Sequence, residues 1–388
     1  MANLPTPNKT AIAHSEKLSQ LIRAEMSDVG GNLRFSRFMQ LALYAPGLGY
    51  YSAGNHKFGK SGDFMTAPEI SPLFARCVAR QCQQILTELS GGDILEFGAG
   101  SGVFAKDLLL ELEELNCLPE HYFILEISAD LRARQMRLFS LHCPHLLSRI
   151  QWLDTLPKQP IDGIIFANEV LDAMPVDCFV FSHNTSAELS VTWENNQFSW
   201  QHTVPSPELA LRVKAIQDEC DLAENYQSEI NLMLPAWIQS VAESMHRGLI
   251  LLIDYGYGRR EYYHPDRSKG TLSCFYQHHQ HSDPLILPGL QDMTAHVDFT
   301  AVAESAANGG LNVAGFTTQA AFLLACDLIS LAEGAANLSE TEKFTQNQAI
   351  KTLTLPSEMG DVIKVMGLLK NLETELAGFS LLDRRRDL

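Results

Sequence analysis

The sequence has no C-x-x-C pair. Its eight cysteines, Cys77, Cys82, Cys117, Cys143, Cys178, Cys220, Cys274 and Cys326, are scattered, several of them on apolar runs. That spacing excludes a thiolate zinc site and a disulfide framework, and it predicts reduced, mostly buried thiols. Positive charge is scarce: 29 Lys and Arg stand against 46 Asp and Glu, a net charge of −17. A basic face for nucleic acid or an anionic membrane is therefore not expected. No apolar run is long enough to cross a bilayer. The greasiest, "AAFLLACDLISLAEGAA" (320–336), carries Asp327 and Glu333 and reads as one buried helix. The first twenty residues hold no continuous apolar core and include Glu16, so neither a secretory signal nor a mitochondrial presequence is read there, and a cytoplasmic location is expected. No H-E-x-x-H spacing accompanies His264, His278, His279 and His281; "QHHQH" reads as a polar loop, and no metal is expected. Repeats and low-complexity segments are also missing.

What is present is an alternation. With 46% hydrophobic and 19% charged residues, the chain can build a substantial core. Residues 71–89 place Phe74, Cys77, Val78, Cys82, Ile85 and Leu89 on one helical stripe that ends at Gly91-Gly92. "DILEF" follows as a short buried strand, then a helix from Val103 to Leu115. "YFILEIS" is a second strand, followed by a helix from Ala129 to Phe139. "RIQWL", "IDGIIFA" and "GLILLID" complete five strands, the last preceded by a helical "EINLMLPAWIQSVAESMHR". Strand–helix alternation predicts an α/β fold, a doubly wound, mainly parallel sheet covered on both faces.

Three regions break this rhythm. Residues 1–70 precede the first strand and predict an N-terminal helical and turn-rich cap on a core running over 71–388. Residues 184–227 and 255–297 read as insertions into that core. Within the first, "ELSVTWENNQFSWQHTV" predicts a hairpin turning at Asn195-Asn196. Irregular segments of this length in a compact enzyme serve more often as lids or binding arms than as spacers.

The first strand runs into "LEFGAGSG". Gly98, Gly100 and Gly102 give G-x-G-x-G, whereas a dinucleotide fingerprint would need its third glycine at Val103. No Gly-Lys-Ser/Thr ending is present for a phosphate loop. Glu96 lies two residues before the first glycine, and E-x-G-x-G-x-G after a first strand is the pattern of S-adenosylmethionine (SAM)-dependent methyltransferases. Glycines let the backbone approach the ligand and adopt positive φ, and an acid suits a cationic ligand. A Gly-rich turn without a ligand is the competing reading. Glu126 ends the second strand, where a carboxylate can accept both ribose hydroxyls of an adenosine or stand exposed without a ligand. Asp154, after the third strand, is a candidate for the adenine amino group. Phe64 and Thr66, in "KSGDFMTAPE", either close over the cofactor or form a structural turn.

"FANEVLDAMPV" (166–176) follows the fourth strand, where methyltransferases of this fold handle substrate. It lacks the Asn/Asp-Pro-Pro-Tyr signature of many small-molecule and DNA N-methyltransferases. Asn168 is assigned to the cofactor. Glu169 and Asp172 are the candidate pair of acids for an arginine; the alternative is a helix-capping Asp172 and a solvated or cofactor-facing Glu169. Asp292, Thr294, His296 and Asp298 read as a pocket rim, with His296 either a proton carrier near neutral pH or a hydrogen-bonded structural residue.

The strings "LYAPGLGYY", "GDFMTAPEISPLFA", "LEFGAGSG", "ANEVLDAMPV", "IDYGYGRREYYHPDRSKGTL" and "DMTAHVDFTAV" make nearly the whole chain resemble the MidA family of SAM-dependent methyltransferases. The resemblance implies a class I methyltransferase fold with an N-terminal helical addition and inserted lid or arm segments. It implies SAM bound through Glu96, Gly98, Gly100 and Gly102. The family's mitochondrial relative is a protein arginine methyltransferase needed for respiratory complex I assembly. The expected activity is methylation of a protein side chain, arginine first, with a respiratory-complex subunit as a candidate partner and no nucleic acid or membrane insertion. A small-molecule or other-residue methyltransferase, and a non-catalytic assembly factor on the same fold, are the alternatives.

Overall fold

The computed structural model describes residues 4–53, 66–334 and 338–388. The chain divides into two compact units. The first comprises 1–64, 171–234 and 257–298, and the second 65–170, 235–256 and 299–388.

The second unit is built on a sheet. Its leading helix, Pro72–Leu89, starts where the Ser71 hydroxyl accepts the Leu73 N–H at 3.2 Å and Pro72 fills the first helical position. It stops at Ser90, whose left-handed φ of 61° leads into the glycine pair. Its apolar stripe, Phe74, Cys77, Val78, Cys82 and Ile85, is buried in the main core. Seven strands follow: β1 (Asp93–Phe97), β2 (Tyr122–Leu125), β3 (Ile150–Leu153), β4 (Ile161–Asn168), β5 (Met245–Tyr257), β6 (Asn312–Thr318) and β7 (Ile363–Lys370). Their order across the sheet is β6-β7-β5-β4-β1-β2-β3. The pairs among β1 to β5 are parallel, and β7 runs antiparallel between β5 and β6. β1, β2 and β3 step one way across the sheet and β4 and β5 the other. The strand order thus reverses between β1 and β4, and doubly wound folds bind ligands outside the carboxyl ends of the strands at such a point. Helices Val103–Glu114 and Ala129–His142 follow β1 and β2.

The first unit begins with helix Lys9–Asp28, whose Asn8 cap accepts the Ala11 N–H at 2.9 Å, and helix Phe35–Tyr44. These pack Leu18, Ile22, Phe35 and Phe38 against an antiparallel sheet of Asn32–Arg34, Thr185–Glu194, Asp177–Ser182 and Tyr226–Ile230. The expected hairpin forms: Thr185–Glu194 pairs with Gln197–Thr203, and Asn195 and Asn196 take φ of 52° and 62°. Two positive φ values are the primed turn that glycine favours at its second position. Asn196→Gly is therefore expected to stabilise the protein by up to ~1 kcal/mol, the left-handed penalty of a non-glycine residue less the added entropy of the unfolded chain. An unchanged urea midpoint would contradict it.

Several expectations need correction. "QHHQH" is not a loop: Ser273–Tyr276 and His279–His281 form a hairpin that turns at Gln277 and His278, and Asp292–Thr294 adds a third strand. The segment expected as one helix before β5 starts as strand Tyr226–Ile230. The Asn231 side chain then accepts the Met233 N–H at 3.0 Å and turns the chain, and the helix is Leu234–Glu243. The 320–336 run is broken into Gln319–Ala325 and Leu328–Glu333, because Asp327 adopts φ 65°; Asp tolerates that conformation better than most residues. All eight cysteines are free thiols.

Candidate functional site

The glycine turn leaves β1 at the reversal point. Gly98, Gly100 and Gly102 have φ of 63°, 52° and 84°. A β-carbon on Gly98 would stand 3.2 Å from the Val170 side chain, and one on Gly102 would stand 3.0 Å from Gln135. Gln135 is a buried residue that sequence reasoning missed. Its Nε2 donates to the Gly100 carbonyl at 2.9 Å, and its Oε1 accepts from Trp152 Nε1 at 2.7 Å. The turn is therefore held from beneath by a side chain two elements away. On its flank, the Ser101 hydroxyl donates to Glu69, just after Thr66, a half-buried residue that precedes a short helix. Phe64 lies outside the described residues.

Glu96 is buried, and its Oε2 accepts from the Tyr122 hydroxyl at 2.9 Å. Burial pushes its carboxyl up to about 8, with the Tyr122 bond opposing. The folded protein thus holds a proton that the unfolded chain releases near pH 4.5. This stabilisation is complete below that pH and is lost as pH rises through about 8. Without ligand, Glu96→Gln is expected to flatten the decline and to exceed the wild type in stability at pH 8 by ~1 kcal/mol or more. Urea unfolding at pH 5, 6.5 and 8 checks this; parallel curves for the two proteins would contradict it.

Glu126 stands at the end of β2, buried, with Oε1 accepting the Ser128 N–H at 2.8 Å. Burial raises its pKa, and the Ser128 amide pulls against that. Asp154 is different. Its side chain is 85% exposed and is engaged by Arg132 Nη2 at 2.7 Å, and the same nitrogen donates to the Leu153 carbonyl at 2.8 Å.

The end of β4 lies beside the end of β1, with Ala167 in register with Phe97. Asn168 Nδ2 donates to Glu169 Oε1 at 3.1 Å. Asn168 Oδ1 is buried and has no hydrogen-bond partner among the described residues. Glu169 adopts φ 50°, an uncommon conformation for a non-glycine residue and one that concentrates at functional sites. Its N–H donates to the Ile253 carbonyl at 2.9 Å, and the Val170 N–H donates to Asp254 Oδ2 at 3.1 Å. A buried acceptor lacking a donor, glycines at positive φ and a buried strand-end carboxylate match what SAM offers: an ammonium, a close-lying chain and two ribose hydroxyls.

The first unit gathers the remaining polar candidates. Asp172 and Asp292 are both buried. The Asp172 carbonyl accepts the Ala295 N–H at 2.9 Å, which ties "LDAMPV" to "DMTAHV". Tyr44 and Tyr51, from "LYAPGLGYY", complete this cluster and were not singled out from sequence. The Tyr51 hydroxyl donates to Asp292 Oδ1 at 2.8 Å and the Tyr44 hydroxyl to the Ala173 carbonyl at 2.9 Å, with the two rings stacked at 5.4 Å. Burial, and after it the Asp292 and Asp172 carboxylates, push both phenols up, so both remain neutral donors. The His296 N–H donates to Thr271 Oγ1 at 2.9 Å, and Thr271 Oγ1 in turn donates to buried Glu229 at 2.6 Å. The His296 ring packs 5.3 Å from that of Tyr257. Asp298 accepts from Arg259 Nε at 3.2 Å. Among the described residues the His, Cys, Asp and Glu side chains close enough to share a metal ion are Asp93, Glu120 and His121, and none of them belongs to the arm.

Comparison with known proteins gives a consistent picture. A family of S-adenosyl-L-methionine-dependent methyltransferases matches residues 77–317. A protein from Burkholderia thailandensis, crystallised with bound S-adenosyl-homocysteine, is 37% identical and superposes with a TM-score of 0.95, covering 100% of both chains. A Drosophila melanogaster protein, named as a homologue of the mitochondrial protein arginine methyltransferase NDUFAF7, is 25% identical over 94% of this chain and 87% of its own. The Danio rerio protein arginine methyltransferase NDUFAF7 is 26% identical over 87% and 84%. Both relatives are named mitochondrial, which overturns the cytoplasmic expectation. That expectation rested on the character of the first twenty residues, and targeting segments are separate from the fold they deliver. No helix among the described residues is long and apolar enough to cross a membrane. The sheet order, the glycine turn at its reversal point and these likenesses agree: the chain belongs to this family of S-adenosyl-L-methionine-dependent methyltransferases, with the class I fold and SAM as its cofactor.

Proposed function

We propose that the chain is a protein arginine N-methyltransferase. The observation that carries the reading is the turn at the end of β4, where Glu169 stands in the left-handed conformation at the carboxyl edge of the sheet. The names of the fly and zebrafish relatives support the substrate class. When bound, SAM supplies an electrophilic methyl group on a sulfonium. The backbone of Gly98–Gly102 accommodates it closely, Glu126 accepts the ribose hydroxyls, and Asn168 Oδ1 accepts from the ammonium. Glu96, engaged with Tyr122, braces the start of the turn. Thr66 stands at the edge of the same site, and Asp154 remains a candidate for the adenine.

An arginine side chain has two handicaps as an acceptor. It is always charged, with a pKa above about 12, and its nitrogen lone pairs are delocalised. Glu169 and Asp172 offset its charge, accept its N–H groups and aim one nitrogen at the methyl group. His296 is the candidate, from its residue type, to receive the proton released as the new C–N bond forms. A respiratory-complex subunit is the first target to examine.

The test uses tritium-labelled SAM, the purified protein and an extract of cells lacking it, followed by acid hydrolysis and chromatography. Label in methylarginine is the expected result. Label in another amino acid or in a small molecule would overturn the arginine assignment. No transfer to any fraction would point to a binding platform instead of an enzyme.

A further inference from the structure

Lys364 lies at the start of β7 and is 1% exposed; its ammonium donates to the Asp361 carbonyl. Taking an ammonium out of water is costly unless a carboxylate compensates it. Across the antiparallel β5–β7 pair its register partner is Asp254, which is 0% exposed. Side chains of directly opposed residues share one face of a sheet and lie within contact of each other. Asp254 has a second task. Its Oδ2 accepts the Val170 N–H at 3.1 Å, and its Oδ1 accepts the N–H of Tyr255 at 2.8 Å. One residue earlier on the same strand, the Ile253 carbonyl accepts the Glu169 N–H at 2.9 Å. Asp254 and Ile253 thus hold consecutive amides of the turn whose central residue has φ 50°. A left-handed conformation at a residue with a side chain costs roughly 1–2 kcal/mol and persists only where its surroundings enforce it.

We propose that the buried Asp254–Lys364 pair is the positioning device of the methyl-transfer site. The Lys364 ammonium keeps Asp254 charged in the core, and Asp254 locks the 168–170 turn so that Asn168 faces the cofactor and Glu169 the acceptor. Neither residue of the pair touches the reacting atoms. The inference rests on the reading of Glu169 and Asn168 given above. It separates from that reading because it predicts coupling between residues and does not depend on what each contributes alone.

The test is a pair of double-mutant cycles on the full chain. Transfer of tritiated methyl from SAM into an extract of cells lacking the protein is measured for Asp254→Asn, Glu169→Gln and the double variant. S-adenosyl-homocysteine affinity is measured by calorimetry for Asp254→Asn, Asn168→Ala and their double variant. Asp254→Asn alone should slow transfer by about tenfold or more, at temperatures where circular dichroism shows it folded. In the Glu169→Gln background the further loss should be under about twofold, because the group being positioned is already gone. The affinity cycle should be non-additive in the same way, and Lys364→Arg should retain most of the activity. If Glu169→Gln alone leaves transfer intact, the acceptor reading fails, and the affinity cycle alone then decides the positioning role. Additive effects in both cycles overturn the proposal, since a merely structural defect multiplies with any other. Where Asp254→Asn gives no folded protein, Lys364→Gln takes its place in both cycles with the same criteria.

Discussion

Gly100→Val is expected to abolish cofactor binding, weakening S-adenosyl-homocysteine by about 10³-fold or more in calorimetry while leaving a folded protein. Gly100 has φ 52°, a region that is a genuine outlier for a β-branched residue. The turn cannot simply relax around the new side chain. Its carbonyl is held by Gln135 at 2.9 Å, and Gln135 is held in turn by Trp152. The left-handed penalty, roughly 1–2 kcal/mol, falls on the stability of the folded protein, and the affinity loss comes from the bulk of the new side chain where a ligand meets bare backbone. A thousandfold loss corresponds to ~4 kcal/mol. Affinity within a few-fold of the wild type would show that the turn does not contact the ligand.

The other large effect concerns the acids. Glu169→Gln and Asp172→Asn are each expected to cut methyl transfer by about 10²-fold or more, the scale of losing one preorganised electrostatic group. S-adenosyl-homocysteine affinity should stay within a few-fold. Each substitution keeps shape and removes charge, so the guanidinium loses the anion that offsets its approach to a sulfonium. Asp172 is buried and its carbonyl is fixed by Ala295, so Asn in its place is expected to keep the backbone geometry. Retained transfer in both variants contradicts the acceptor assignment. Loss of cofactor affinity in Glu169→Gln moves that residue to the cofactor.

The parts of this architecture that could be read from sequence are those with local signals. The stripe of Phe74, Cys77, Val78, Cys82 and Ile85, the run into the glycine turn and the Asn195-Asn196 hairpin each announce themselves within a dozen residues. β6 and β7 were not placed, because "NVAGFTT" and "IKVMGLLK" carry glycine and lysine inside a buried strand, and only the sheet explains both. A β-carbon on Gly315 or Gly367 would meet Phe379, a contact made more than sixty residues away in one case. Lys364 looks like a surface residue until its register partner Asp254 is known. Gln135 carries no motif, and its role follows from the approach of its helix to the Gly100 carbonyl. Tyr44 and Tyr51 were visible within an unusual string, but the Tyr51 link to Asp292 spans 241 positions and the Tyr44 link to Ala173 spans 129, and no spacing rule reaches that far. Asp154 could be placed after β3 from sequence, but the contact of its exposed carboxylate with Arg132, twenty-two positions away, carries no local signal.

The most direct test is a crystal structure of the protein with S-adenosyl-homocysteine. Ribose hydroxyls are expected within hydrogen-bond distance of the Glu126 carboxylate, the ligand's chain against the backbone of Gly98–Gly102, and its ammonium on Asn168 Oδ1. A ribose bound by any other carboxylate, or a ligand with no contact to that turn, would contradict it.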